Sequence, residues 1–397
     1  MRISSASQYD ATIDGLQQRQ QELTQSQARL TTGKRIAQPS DDPAAAARAE
    51  RAFQAGQRIE SAQRSVEASR SAMQLAESAL GQSNELLQSA RETLIAAGNG
   101  SYSASDRASQ AQQLAQLRAQ LMALANQSNS AGGYLFGGQG GASPPFLDAP
   151  GGVQSTATGG QSELSSTDQL PLTVDGQAIW LAARGGNGVF VTAASSGNTG
   201  SGWIDAGSVS APADLTGASY SVNFAETAGV LSYSVLRNGA TMGQDDLPFV
   251  GAAIKLDGMA MNIKGRPAAG DSFSVEPSAA NLDIFRALDS AIGVLKDPLA
   301  NSGHLAQAVN SGLRDLDAVM GHMQSARAQT GSALSRLDAI EGRNQDRSLW
   351  ARSVQSAAED LDMVQAISAF QNQQTGYQAA MQSYAMVQRL SLFDYVK

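Results

Sequence analysis

The stretch LTTGKRIAQPSDDPAAAARAE, residues 30–50, decides how this chain is read. A helical pattern enters it at Leu30 and another leaves it at Ala44–Ala47, with Gly33, Pro39, Asp42 and Pro43 between them. A glycine just past a run of helix formers suits the left-handed residue that closes a helix. Pro39 cannot continue a helix and pushes Gln38 toward an extended conformation. Asp is a strong N-cap, and proline is favoured at the first helical position, where its missing N–H costs nothing. Alanine, the best helix former, then starts the next helix. Two helices therefore meet at an abrupt break, whose connector is Gly33, Pro39, Asp42 and Pro43.

Outward from the break, large apolar residues recur every seven positions. Before it stand Tyr9, Leu16, Leu23 and Leu30; after it stand Ile59, Val66, Met73, Leu80, Leu87 and Leu94. Three residues after each member of the second series sits a small one: Ala62, Ser69, Ala76, Ser83, Ala90 and Ala97. Large residues beside small ones at a heptad period suit close packing of long helices. An unbroken helix over 44–97 is roughly 80 Å long at 1.5 Å per residue, a rod rather than part of a globule. A further helix is expected over about 104–130. The far end of the chain mirrors this pattern. Its last stretch carries Val354, Leu361, Val364, Ile367, Phe370, Tyr377, Met381 and Tyr384, closing on Leu390, Leu392, Phe393 and Tyr395. Both terminal stretches are diluted by polar residues: Gln20 and Gln27 fall on the first seam, and residues 371–378 read QNQQTGYQ. Helices so weakly apolar are marginal alone and want partners.

The middle is different. No proline lies between Pro43 and Pro144 or after Pro298, whereas 26 of the 39 glycines lie between 132 and 280. SYSVNFAE (219–226), VLSYSVLRNG (230–239), AAIKLDGMAMNIKG (252–265) and DSFSVEP (271–277) alternate like strands split by turns. LPLTVDGQAIWLA (170–182) reads as an earlier hairpin turning at Asp175–Gly176. The expected fold is α + β and multidomain: a long antiparallel helical coiled coil or bundle rod from both chain ends, with a β-rich domain inserted in the middle. Its divisions are an inner helix and connector (1–42), the first half of the rod (43–139), a β-rich outer domain with its own core (140–280), the second half of the rod (281–350) and a C-terminal inner helix (351–397).

Composition narrows the function. The net charge is −8, and residues 140–280, with 5 basic and 12 acidic residues, supply −7 of it. No segment has the basic patch that nucleic-acid binding needs. The absence of Cys removes thiolate chemistry, and His304 and His322 are too few and too far apart for an ordinary zinc site. No run of about 20 apolar residues can span a membrane. The start, MRISSASQYD, has no apolar core of a cleavable secretory signal. GGQGG at 137–141 has no following Lys–Ser/Thr, so it makes no phosphate loop. No nucleophile pairs with a base, and the expectation is a chain with no catalytic site, cofactor or metal.

Four segments together resemble the flagellin family: the break LTTGKRIAQPSDDPAAAARAE, LANQSNSAGGYLFGG (124–138), GRPAAGDSFSVEP (265–277) and the end AISAFQNQQTGYQAAMQSYAMVQRLSLFDYVK. PSDDP, YLFGG and SLFDY resemble more closely the members that join hook to filament than the filament subunit. That resemblance implies a structural adaptor with no enzyme activity, located outside the cell in the flagellum and exported by the type III route without a cleaved signal. It implies homo-oligomerisation in a ring or short helical layer, hook-associated protein 1 on the hook side, flagellin on the filament side and a cytoplasmic export chaperone. It further implies that the break joins two concentric layers of an assembly, packed through the heptad residues and the apolar group at the chain end. Two other readings stay open from the residues: a flagellin proper, and a glycan-binding or enzymatic module in the β insert.

Overall fold

The computed structural model describes residues 5–129, 132–140, 143–164, 168–227, 229–243 and 246–394; for 5–9 and 387–394 it describes the backbone alone. Among the described residues, six α-helices flank a β-rich middle and a seventh, α4, lies within it: α1 Ser5–Thr32, α2 Pro43–Ala97, α3 Ala104–Ala125, α4 Gly176–Leu181, α5 Ile284–Lys296, α6 Ser302–Glu359 and α7 Met363–Asp394. The chain forms two compact units. A terminal unit holds residues 1–64 and 341–397, and a central unit holds 65–340.

In the central unit, the first core is helical. Val66, Met73, Leu80, Leu87 and Leu94 of α2 are buried in one cluster with Leu114 and Leu121 of α3, Phe285, Leu288 and Ile292 of α5, and Leu316, Val319, Met323 and Leu337 of α6. The small residues beside the α2 seam, Ser69, Ala76, Ser83, Ala90 and Ala97, are buried as well. Ion pairs along the flank give the direction. Arg70 meets Asp338 at 2.6 Å and Arg91 meets Asp317 at 2.6 Å, so α6 descends as α2 climbs and the two are antiparallel. Helix α3 starts on a capping box between Ser103 and Asp106.

The second core is made of strands. An antiparallel sheet runs in the order Ala240–Thr241, Val230–Arg237, Tyr220–Thr227, Ser272–Pro277 and Phe190–Ala194. Alternate residues Tyr220, Val222 and Phe224 point inward, beside Phe273 and Val275. Ile254, Leu256, Met259, Met261 and Ile263 complete the cluster. This alternation is the period of a strand with one buried face.

Three details differ from the sequence reading. The turn expected at Asp175–Gly176 is the start of α4: Asp175 accepts the Ala178 N–H at 3.0 Å, so its carboxylate caps a helix. The insert over 140–280 does not share one core of its own. Phe146, Leu170, Val174, Ile179 and Trp180 join the helical core, where Trp180 stacks on Phe285 with ring centroids 6.0 Å apart and meets Phe136 edge-on at 5.5 Å. Aromatic area of that size is buried wherever a matching surface lies, here on α5. Finally, the position expected to divide the rod from the C-terminal inner helix, 350/351, lies inside α6, which runs to Glu359, and the second break falls at 360–362.

Candidate assembly surface

The connector is built as its residues dictate. Helix α1 ends at Thr32, and Gly33 follows in the left-handed region at φ 68°. Asp42 accepts the Ala45 N–H at 2.9 Å, and Pro43 is the first residue of α2. That hydrogen bond, aided by Arg35 at 3.4 Å, lowers the Asp42 pKa below the ordinary carboxylate value. Asp41 folds the loop on itself, accepting from the N–H groups of Ala37 and Gln38 at 3.0 and 3.2 Å. Pro39 sits exposed at the loop tip.

The second break, which sequence reasoning missed, has the same chemistry. Asp362 accepts from the N–H groups of Val364 and Gln365 at 3.0 and 3.1 Å and caps α7. An aspartate directly ahead of the apolar stripe Met363, Val364, Ile367 was the available signal. The two breaks are clasped together. The Leu361 N–H donates to Gly33 O at 2.9 Å, the Arg35 N–H donates to Glu359 O at 2.7 Å, and Arg35 Nη2 donates to Ala358 O at 2.9 Å. Lys34 Nζ stands 2.8 Å from the Glu359 carboxylate, a hydrogen bond that raises the lysine pKa.

From the clasp, α1 and α7 run antiparallel: Ser26 Oγ donates to Gln373 Oε1 at 2.6 Å, and Arg19 lies beside Gly376. Leu16, Leu23 and Leu30 are half-buried, as are Leu361, Phe370, Tyr377 and Tyr384. Val364, Ile367 and Met381 are exposed. Ile59, unlike the α2 seam residues of the central unit, is half-buried. The side chains of Tyr9, Leu390, Leu392 and Phe393, and all of Tyr395, lie outside the described residues.

The terminal unit buries few side chains. Its buried apolar residues, among those described, are Ile36, Ala45, Ala49, Ala52, Ala351 and Ala358. Among the described residues, eight of the fourteen large apolar side chains left exposed fall in it: Phe53, Leu349, Trp350, Met363, Val364, Ile367, Met381 and Met386. A groove of about 600 Å³ between α2 and α6, lined by Phe53, Ile59, Leu349 and Arg352, lies open in the same unit. Exposed apolar surface on this scale marks interaction sites in soluble chains. Among the described residues, no cluster of three or more His, Asp or Glu side chains is placed to hold a metal, and no helix is long and apolar enough to cross a membrane.

Comparison with known proteins follows the same lines. Residues 3–140 match the family described as the bacterial flagellin N-terminal helical region. The chain thus carries a flagellin-type helical start. Over 398 residues it is 27% identical to the flagellar hook-associated protein 3 of Salmonella typhimurium, covering 99% of both chains. The crystal structure of the flagellar junction protein FlgL from Legionella pneumophila matches with a TM-score of 0.67 at 29% identity, over 73% of this chain and 99% of that one. FlgL of Xanthomonas campestris matches with a TM-score of 0.68 at 28% identity, over 78% and 99%. Along its whole length, then, the chain is similar to flagellar hook-associated protein 3.

Proposed function

We propose that this chain is a structural subunit at the junction of the flagellar hook and filament. The observation that carries the reading is the terminal unit, which among its described apolar residues buries one isoleucine and five alanines while leaving eight large side chains exposed. Helices so thinly packed gain most of their burial from neighbours. End-to-end similarity to hook-associated protein 3 supports the same conclusion. On this reading, copies of the chain pack through α1, α7 and the exposed face around Leu349 and Trp350 into a ring or short helical layer. Hook-associated protein 1 lies on one side and flagellin on the other. The subunit reaches the outside of the cell through the type III export apparatus, held beforehand by a cytoplasmic chaperone, and its role is packing rather than catalysis.

Deleting the gene in its native cell tests this. The expected outcome is hooks without filaments, with flagellin released into the medium, and recovery on restoring the gene. Filaments of ordinary length on the deletion strain would overturn the proposal.

A further inference from the structure

We propose that the clasp between residues 33–35 and 358–361 sets the register in which α1 and α7 pair. The need for such a device lies in the two seams. Leu16, Leu23 and Leu30 recur every seven residues on α1, and Met363, Phe370, Tyr377 and Tyr384 recur every seven on α7. A slip of one heptad, about 10 Å along the axis, sets large apolar residues opposite large apolar residues again. Packing penalises the slip little, because no described residue of either helix is fully buried. The glutamines between the apolar positions are equally permissive, since an amide can donate or accept. Apolar pattern alone leaves the register degenerate.

The clasp has no such repeat. Its hydrogen bonds join particular main-chain groups, Leu361 N–H to Gly33 O and Arg35 N–H to Glu359 O, and a shift of a single residue breaks both. Arg35 Nη2 on Ala358 O and Lys34 on Glu359 add two side-chain locks of the same register. The constraint passes directly into the helices. Gly33 follows the last residue of α1, and Leu361 is one residue before Asp362, which caps α7. Gly33 holds a left-handed φ of 68° that aims its carbonyl at Leu361. The clasp is therefore a positioning element: it decides which side chains the helix pair turns outward, whatever the pair then binds.

The inference does not rest on the junction reading and is tested on the purified chain. The chain has no Cys, so introduced thiols report without background. Ser26→Cys with Gln373→Cys, joined by a short bismaleimide, marks the observed register. Ser26→Cys with Ala366→Cys, or with Ala380→Cys, marks a slip of one heptad either way. With the clasp intact, the 26/373 cross-link is expected at least ten-fold above the slipped pairs. Gly33→Val places a β-branched residue in the left-handed region, where it is strained. In that background the slipped pairs should rise to within about two-fold of 26/373 with the helical circular dichroism unchanged. Lys34→Glu should weaken the 26/373 preference, and adding Glu359→Lys should restore it. A preference untouched by these changes overturns the proposal. So does a preference lost together with the helical signal, since the clasp would then sustain the helices rather than align them.

Discussion

Leu80 has no exposed surface, and Ala76 and Ser83 beside it are equally buried. Leu80→Ala removes buried methyl and methylene groups and leaves a cavity that close neighbours cannot fill, so urea denaturation should show a loss of about 2–5 kcal/mol. Leu80→Lys should cost more, because it also buries an unpaired ammonium. Leu16→Ala, half-buried on α1, should cost far less in the free chain. The sequence places Leu16 and Leu80 on the same kind of seven-residue seam. Recurrence shows which face of a helix is apolar; it does not show how much of that face a neighbour covers.

At the scale of the element, α6 ties the strands to the helices through their main chain. Asn301 Nδ2 donates to Gly200 O at 3.2 Å, the Ile204 N–H donates to Gln307 Oε1 at 2.9 Å, and Arg314 Nη1 donates to Thr192 O at 3.2 Å. Gln307 and Arg314 lie seven residues apart, about two turns, so they share one face of α6, while Asn301 stands just ahead of its first residue, Ser302. Arg314 also pairs with Asp315 at 3.1 Å, and burial pushes the Asp315 pKa up while the guanidinium opposes it. Gln307→Ala leaves the Ile204 N–H without its partner and should cost about 1–3 kcal/mol. Arg314→Ala should cost more at neutral pH, because it leaves the half-buried Asp315 carboxylate without its cation. A carboxyl whose folded pKa lies above its unfolded value holds its proton longer in the folded state, so stability falls as pH rises through that interval. The excess cost of Arg314→Ala over Gln307→Ala should therefore shrink as pH falls from neutrality into the acid range, where protonation removes the Asp315 charge that the guanidinium offsets. Denaturation of both variants across that range measures it, and an excess independent of pH would refute the account.

For the whole molecule, the two units differ in how they are held. The central unit has two closed cores of large side chains, and the terminal unit closes mainly over alanine. The proposed junction role places the missing contacts on neighbouring subunits. Val364 is 80% exposed and Ile367 45% exposed, so replacing both by serine should change the stability of the free chain by less than about 0.5 kcal/mol per site. The same double change should reduce filament-bearing cells several-fold, counted by microscopy against a strain carrying the unchanged gene. Normal filament counts would remove this face of α7 from the proposed interface.

What the sequence determined by itself was the local grammar. Heptads, the proline-free runs and the Gly33-to-Pro43 break specify the long helices, and two-residue alternation specifies strands such as Tyr220–Thr227. These signals lie within a few residues of the structure they produce, through caps, dihedral preferences and side-chain period. What only the tertiary structure decided was pairing over distance. Gly33 binds residue 361, Trp180 leaves the β insert for α5, and Asp175 caps a helix instead of turning a hairpin. The physical reason is that an aspartate before a glycine suits a turn and an N-cap equally, and an aromatic ring is apolar toward any core. Contacts far along the chain, such as Phe285 for Trp180, are absent from the local pattern and choose between such equal options.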